Sequence, residues 1–300
     1  MSQGHAGAVM PSWRDYLEIC KPRVVILMLI TAAVGMFLAV PAIDGWPPPE
    51  LFLFTMVGVA LVAGSAAVVN HVADAHIDAQ MSRTARRPMV QGRIPAPRAM
   101  LFSAALALTG MSVLTFAVNP ATAWLNLLSW AGYGIIYTLY LKWLTPQNIV
   151  IGGLFGAAPP LFGWTAVTGS IEVEPLLLVL IIFLWTPPHF WALALDRIDE
   201  YARAGVPMLP VTHGDRYTRV QILVYTLALA AASLLPFALG MSGAIYLVAA
   251  LALNAGFIYQ AAAVLRCRPG SEIRTFRYSI VYLGALFLAL LIDHYSAALS

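Results

Sequence analysis

The sequence predicts an all-α, polytopic membrane protein. It is expected to be a bundle of nine transmembrane helices around a central cavity, with its N-terminus in the cytoplasm. Three observations predict it. Of 300 residues, 60% are hydrophobic and only 10% charged, and the mean hydropathy is +0.79; soluble domains do not have this composition. Nine apolar segments are long enough for a bilayer, which takes about 20 residues per helix: 24–43, 51–70, 99–118, 121–141, 148–168, 175–195, 218–237, 242–263 and 276–294. The charges then sort to one side.

All 17 Lys and Arg residues fall on one face of the nine-span arrangement. Arg14, Lys21 and Arg23 precede the first span. Arg83, Arg86, Arg87, Arg93 and Arg98 separate spans two and three, and Lys142 follows span four. Arg197, Arg203, Arg216 and Arg219 lie between spans six and seven. Arg266, Arg268, Arg274 and Arg277 lie between eight and nine. The opposite side carries only Asp44, Glu50, Glu172, Glu174 and Asp293. Cationic loops stay in the cytoplasm, so residues 1–23 read as a cytoplasmic segment and 24–300 as a single membrane domain. A secretory leader and an Arg-rich presequence are not recognisable at the N-terminus, which places the chain in a bacterial inner membrane as a multi-pass protein. The formal charge of +3 is too small to imply nucleic acid. Cys20 and Cys267 have no metal or redox spacing.

Turns marked by Gly45-Trp-Pro-Pro-Pro49, Asn119-Pro120, Thr145-Pro146 and Gly240 are short. Two cytoplasmic stretches, 71–98 and 196–217, are long, and chemistry is expected there. The first opens with Asn70, Asp74 and Asp78. Residues four apart share a helical face, rising about 6 Å per step. Two carboxylates and an amide on one stripe, followed by arginines, suit a divalent cation, and oxygen-rich carboxylate sites suit Mg²⁺ carrying a substrate's phosphates. The second stretch carries Asp196, Asp199 and Glu200, a second acidic helix end on the same side. The bland reading of the first cluster is a solvated helix end, and the strict spacing weighs against it. Acids kept near the bilayer are costly and mark function. For the arginines, positive-inside topology is an equally good explanation as phosphate binding. His189, between Pro188 and Phe190-Trp191, is the histidine best placed to contact a flat substrate; His71 and His213 read as hydrogen-bonded or surface residues, and His5 and His294 as idle.

Five stretches resemble the UbiA-type intramembrane prenyltransferases, and specifically their protohaem IX farnesyltransferase (haem O synthase) branch. They are Lys21-Pro-Arg23; Asn70 through Asp74 and Asp78 to Ser82-Arg83 and Arg87-Pro88; Asn148-Ile-Val-Ile-Gly-Gly with Gly156-Ala-Ala-Pro-Pro160; Trp185-Thr-Pro-Pro-His189-Phe-Trp191; and Tyr201-Ala-Arg203-Ala-Gly-Val-Pro-Met-Leu-Pro210. The resemblance runs from about Lys21 to the C-terminus. His76 and Asp196 depart from its pattern, standing where an Arg and an aromatic residue are common.

The resemblance implies transfer of farnesyl from farnesyl diphosphate to a vinyl group of haem b, which is substrate rather than cofactor. It implies Mg²⁺ on Asp74, Asp78 and Asp199, with Asn70 and Glu200 completing the catalytic set. It implies substrate contacts from Lys21, Arg23, Arg83, Arg87, Lys142, Asn148, His189, Arg197 and Arg203, at a cytoplasmic rim opening on the lipid bilayer. Contact with a downstream haem-modifying enzyme and the oligomeric state stay open. Two close alternatives share the first motif or the buried acids: a prenyltransferase with an aromatic quinone-precursor acceptor, and an ion-coupled transporter, whose acids belong at the bilayer midplane. A haem-binding assembly factor without catalysis is the third.

Overall fold

A computed structural model describes residues 11–82 and 84–297. Among them the regular structure is helical, with no strand. In chain order the α-helices are α1 (Trp13–Ile19), α2 (Pro22–Ala39), α3 (Pro49–Ala73), α4 (Ala75–Asp78), α5 (Ala96–Val113), α6 (Pro120–Trp130), α7 (Lys142–Leu144), α8 (Asn148–Ala157), α9 (Pro159–Thr168), α10 (Val173–Asp196), α11 (Ile198–Arg203), α12 (Leu209–Ala232), α13 (Leu235–Ala238), α14 (Ala244–Leu265) and α15 (Ser271–Ala297). Proline starts many of them, because its missing N–H costs nothing in a first turn and its φ is preset for the helix.

Eight helices among the described residues are long and apolar enough to cross a membrane. The expected fourth span is not one of them, although it is helical throughout: α6 passes into a π-helix at Ala131–Leu141 and then into α7. Asn126, Trp124, Trp130, Tyr133, Tyr137 and four of its small residues dilute its hydropathy. Its two ends nevertheless meet opposite ends of its neighbours. Asn119 Nδ2 donates to the Thr165 carbonyl of α9 at 2.8 Å, while Lys142 reaches Asp74 at the far end of α3.

Between apolar helices in lipid there is little hydrophobic drive, so close contact depends on small residues. The α2–α9 pair shows this. A Cβ added to Gly163 would lie 1.8 Å from the Ala32 carbonyl oxygen, and one on Gly35 would lie 2.1 Å from that of Pro160. The two backbones touch, which gives the glycine-rich stretch from Gly152 to Gly163 a packing purpose. Two larger apolar clusters follow. One joins α10, α14 and α15 through Leu178, Ile181, Tyr246, Phe257, Tyr282 and Leu286. The other joins the two long polar stretches: Ile77 and Met81 from the first pack with Trp191, Val206, Met208 and Leu209 from the second. That second cluster positions the site.

Candidate active site

The first acidic stripe survives a break in its helix. α3 ends at Ala73, and Asp74 caps it with φ −88° and ψ −1°. The backbone bonds still run four residues back, from Asp74 N to the Asn70 carbonyl and from Asp78 N to the Asp74 carbonyl, both at 2.9 Å. Asn70, Asp74 and Asp78 therefore keep their register, and all three are buried, at 3%, 6% and 6% exposure.

Burial this deep requires partners, and each residue of the stripe has a basic one. Lys21 Nζ donates to Asn70 Oδ1. Lys142 Nζ donates to Asp74 Oδ2 at 2.8 Å, and Arg87 Nη1 to Asp78 Oδ2 at 2.5 Å. Lys21 can reach inward because it sits in the left-handed region, φ 51°, between α1 and α2. Arg87 returns to Asp78 because Thr84, fully buried, closes the turn by donating to the Asp78 carbonyl at 2.9 Å. Sequence and space agree here: the arginine follows nine residues after its acid, separated by one tight loop.

The π-helix supplies the opposite wall. Thr138 Oγ1 accepts from Asn70 Nδ2 at 3.2 Å and donates to the Tyr133 carbonyl at 2.8 Å. Tyr133 and Tyr137 stack with centroids 5.6 Å apart. Gly152 of α8 leaves room for them, since a Cβ there would lie 2.4 Å from the Tyr137 ring. Tyr133, Tyr137 and Thr138 were not among the expected site residues. Their signal was weak: a wider, five-residue turn brings them together, and the sequence offers only a Gly-rich aromatic stretch for it. Asn148 completes this wall, buried, with Nδ2 donating to the Lys142 carbonyl at 3.4 Å.

The second stretch contributes unevenly. Ser82 Oγ donates to Glu200 Oε1 at 3.4 Å, joining the two acidic stretches. Arg197 is half-buried where α10 meets α11. Asp199 and Arg203 are exposed, and Arg203 Nε donates only to the Asp199 main-chain carbonyl, at 3.1 Å. Among the described residues no three Asp, Glu, His or Cys side chains form a metal-sized group, so the expected trio of Asp74, Asp78 and Asp199 is not assembled. Arg23 is exposed on α2, and Asp196 is exposed at the end of α10. Arg83 lies outside the described residues. His76 stacks on Trp143 at 5.6 Å instead of facing the acids.

His189 is packed rather than open. It lies between Trp185 and Phe276, with centroids 4.2 and 4.5 Å away, and its Nδ1 shares a hydrogen bond with Ser279 Oγ at 2.7 Å. These contacts put it between α10 and α15. His71, expected to be hydrogen-bonded or exposed, is 2% exposed with Nδ1 unpartnered. His213 is exposed and shares a hydrogen bond with Thr212, as expected of it.

Taken one by one, the buried donors are of the kind a hard cation takes. Asp74 Oδ1, Asn148 Oδ1 and Glu200 Oε2 are buried oxygens without a hydrogen-bond partner, and oxygen donors in small number suit Mg²⁺ that keeps water and takes phosphate oxygens.

Comparison with known proteins places this geometry. The sequence profile of the UbiA prenyltransferase family matches residues 28–291. A protein named protoheme IX farnesyltransferase from Hahella chejuensis (strain KCTC 2396) is 61% identical over 284 residues, 94% of each chain. Protoheme IX farnesyltransferase 1 of Pseudomonas paraeruginosa is 59% identical over 288 residues, covering 95% of this chain and 94% of its own. Among solved structures, a digeranylgeranylglyceryl phosphate synthase superposes with a TM-score of 0.79 at 20% identity, over 94% of this chain and 98% of its own. A UbiA homologue from Archaeoglobus fulgidus bound to GPP and Mg²⁺ superposes at 0.65 and 14% identity, over 92% and 99%. These two show the fold, and the profile and the close relatives show the kinship: the chain belongs to the UbiA prenyltransferase family.

Proposed function

We propose that this protein transfers the farnesyl group of farnesyl diphosphate to a vinyl group of haem b, giving haem O. The observation that carries the reading is identity near 60%, over nearly the full length of both chains, to proteins named for that reaction. The geometry supports it independently. A prenyl transfer needs the charge of a leaving diphosphate neutralised and its allylic cation kept from water. Buried acids flanked by Lys21, Lys142 and Arg87 meet the first need.

In this mechanism the C–O bond to the diphosphate breaks and the electron pair leaves with the phosphate oxygen. Lys142 and Arg87 turn from Asp74 and Asp78 towards the diphosphate, releasing carboxylate oxygens. Held there by Asp74 and Asp78, Mg²⁺ would supply the remaining charge neutralisation. Asn70 holds the phosphate edge, oriented by Lys21 and Thr138. The stacked Tyr133 and Tyr137 present ring faces, which favour a nearby cation. The vinyl carbon of haem b attacks the allylic carbon, and water adds to the cation so formed, losing a proton to give the hydroxyl. Asn148 lines the same wall, and Arg197 and Arg203 offer charge at its rim; His189 acts through the aromatic stack with Trp185 and Phe276.

The protein is a multi-pass membrane protein. Its orientation in a bacterial inner membrane, N-terminus and acids towards the cytoplasm, follows from the segregation of its cations. The end-to-end contacts of the 120–144 helix support nine spans.

Purified protein is incubated with labelled farnesyl diphosphate and either haem b or 4-hydroxybenzoate, with Mg²⁺ or a chelator. Farnesylated haem formed only with Mg²⁺ is the expected result. Label on the benzoate instead, or none on either acceptor, overturns the assignment.

A further inference from the structure

The bundle carries a second recess, apart from the acids. A groove of about 800 Å³ runs between α1, α2, α3 and α5, within the range of small-molecule sites, about 300–1,000 Å³. Its walls include Tyr16, Leu17, Val25, Leu61, Phe102 and Leu106, with Ala60, Gly64 and Ala105 leaving the space. Gly64 lies on α3 about 240° around the helix from Asn70, so this is a different face from the catalytic stripe. The turn that brings Cys20 and Pro22 into the groove sends Lys21 to Asn70.

The charged side chain that lines the groove is a cation, with a second cation on its rim tryptophan. Arg98 lines the groove and is exposed. Arg14 lies over the ring of Trp13, 5.5 Å from its centre, and Trp13 forms the rim at 71% exposure. Of the nearby acids, Asp15 holds Arg93, and Glu18 is half exposed, 4.0 Å from the same guanidinium. An almost wholly apolar channel lined at its polar end by Arg98 and Trp13, with Arg14 over the Trp13 ring, complements an amphiphile with an anionic head.

We propose that this groove holds an acyl chain of an anionic membrane phospholipid, with its phosphate on Arg98 and Arg14. The apolar length takes the chain, and the arginines can meet phosphate oxygens in pairs. Trp13 packs at the glycerol level, where its ring is half wet.

Cys20 reports on occupancy, because Cys267→Ser leaves it the sole cysteine. Burial pushes its thiol up to about 11, so alkylation by a maleimide is followed at about pH 9 on protein stripped of lipid in detergent. Phosphatidylglycerol is expected to slow alkylation saturably, and phosphatidylcholine to do so much less. Arg14→Ala with Arg98→Ala is expected to erase the preference, at about fivefold per arginine. Ala105→Trp, filling the groove from an exposed position, is expected to slow alkylation without lipid. Equal protection by both lipids, protection by neither, or an unchanged preference in the double arginine variant overturns the proposal. The readout involves no catalysis, so it stands or falls apart from farnesyl transfer.

Discussion

Asp74 and Asp78 each give one oxygen to a basic partner, and Asp74 leaves its other oxygen buried and unpaired. Two predictions belong to this scale. Asp74→Asn keeps shape and burial but removes charge; diphosphate release is expected to fall about a hundredfold or more, read as kcat on purified protein. Lys142→Met strands a carboxylate that is only 8% exposed. Breaking a buried pair on one side costs about 3 kcal/mol, so thermal unfolding is expected at lower temperature, with Asp74→Asn in the same chain restoring most of the loss. Asp15 supplies a pH prediction outside the membrane. The Ser12 backbone N–H and hydroxyl, and then the Arg93 guanidinium, hold its carboxyl below the ordinary 3.8. A lowered folded value means stabilisation present above 3.8 and lost as pH falls through the lower value. Amide exchange in α1 is expected to rise in that acid window, and Asp15→Asn to remove the transition.

Each helix of the site is set by a local device. Prolines in first turns, a π-helix and glycine contacts between helices each shape a short segment, and they differ in how openly the sequence displays them. The spans, their order and the acid stripe follow from hydropathy and a four-residue spacing, both local properties. The π-helix at Ala131–Leu141 does not; its widened turn depends on neighbours such as Gly152, which admits the Tyr137 ring. The sequence marks 121–141 as a span, whereas the 120–144 helix falls short of the hydropathy of the eight others and is tied at its two ends to α9 and α3. Glycines give the test at this scale. Gly163→Ala drives a Cβ to within 1.8 Å of the Ala32 carbonyl oxygen, whereas Gly156, in the same glycine-rich stretch, has open space around it. Gly163→Ala is expected to separate α2 from α9 at a cost of about 3 kcal/mol. Gly156→Ala is expected to be neutral or slightly stabilising, by up to about 1 kcal/mol. Paired melting curves in one detergent check both.

Across the whole molecule, two stretches about 120 residues apart in sequence close over one site. Ile77 and Met81 dock on Trp191, Val206, Met208 and Leu209, and Ser82 meets Glu200. Ile77→Ala removes buried methylenes without touching a polar group; a loss of about 2–4 kcal/mol is expected, together with a raised KM for the diphosphate substrate. An unchanged KM would detach this cluster from the site. The proposed membrane orientation is tested with Cys267, exposed among the arginines between α14 and α15: in a Cys20→Ser chain an impermeant maleimide is expected to label inverted vesicles and spare intact cells. By itself the sequence determined an all-helical membrane bundle, the Asn70–Asp74–Asp78 stripe and the family it resembles, because hydropathy and helical spacing are written along the chain. Only the tertiary structure decided which basic group meets which acid, that Thr138 and two tyrosines form the far wall, and that Glu200 is half-buried on Ser82 while Asp199 and Arg23 are exposed. Such pairings depend on distances between residues far apart in the chain, and no local pattern encodes them.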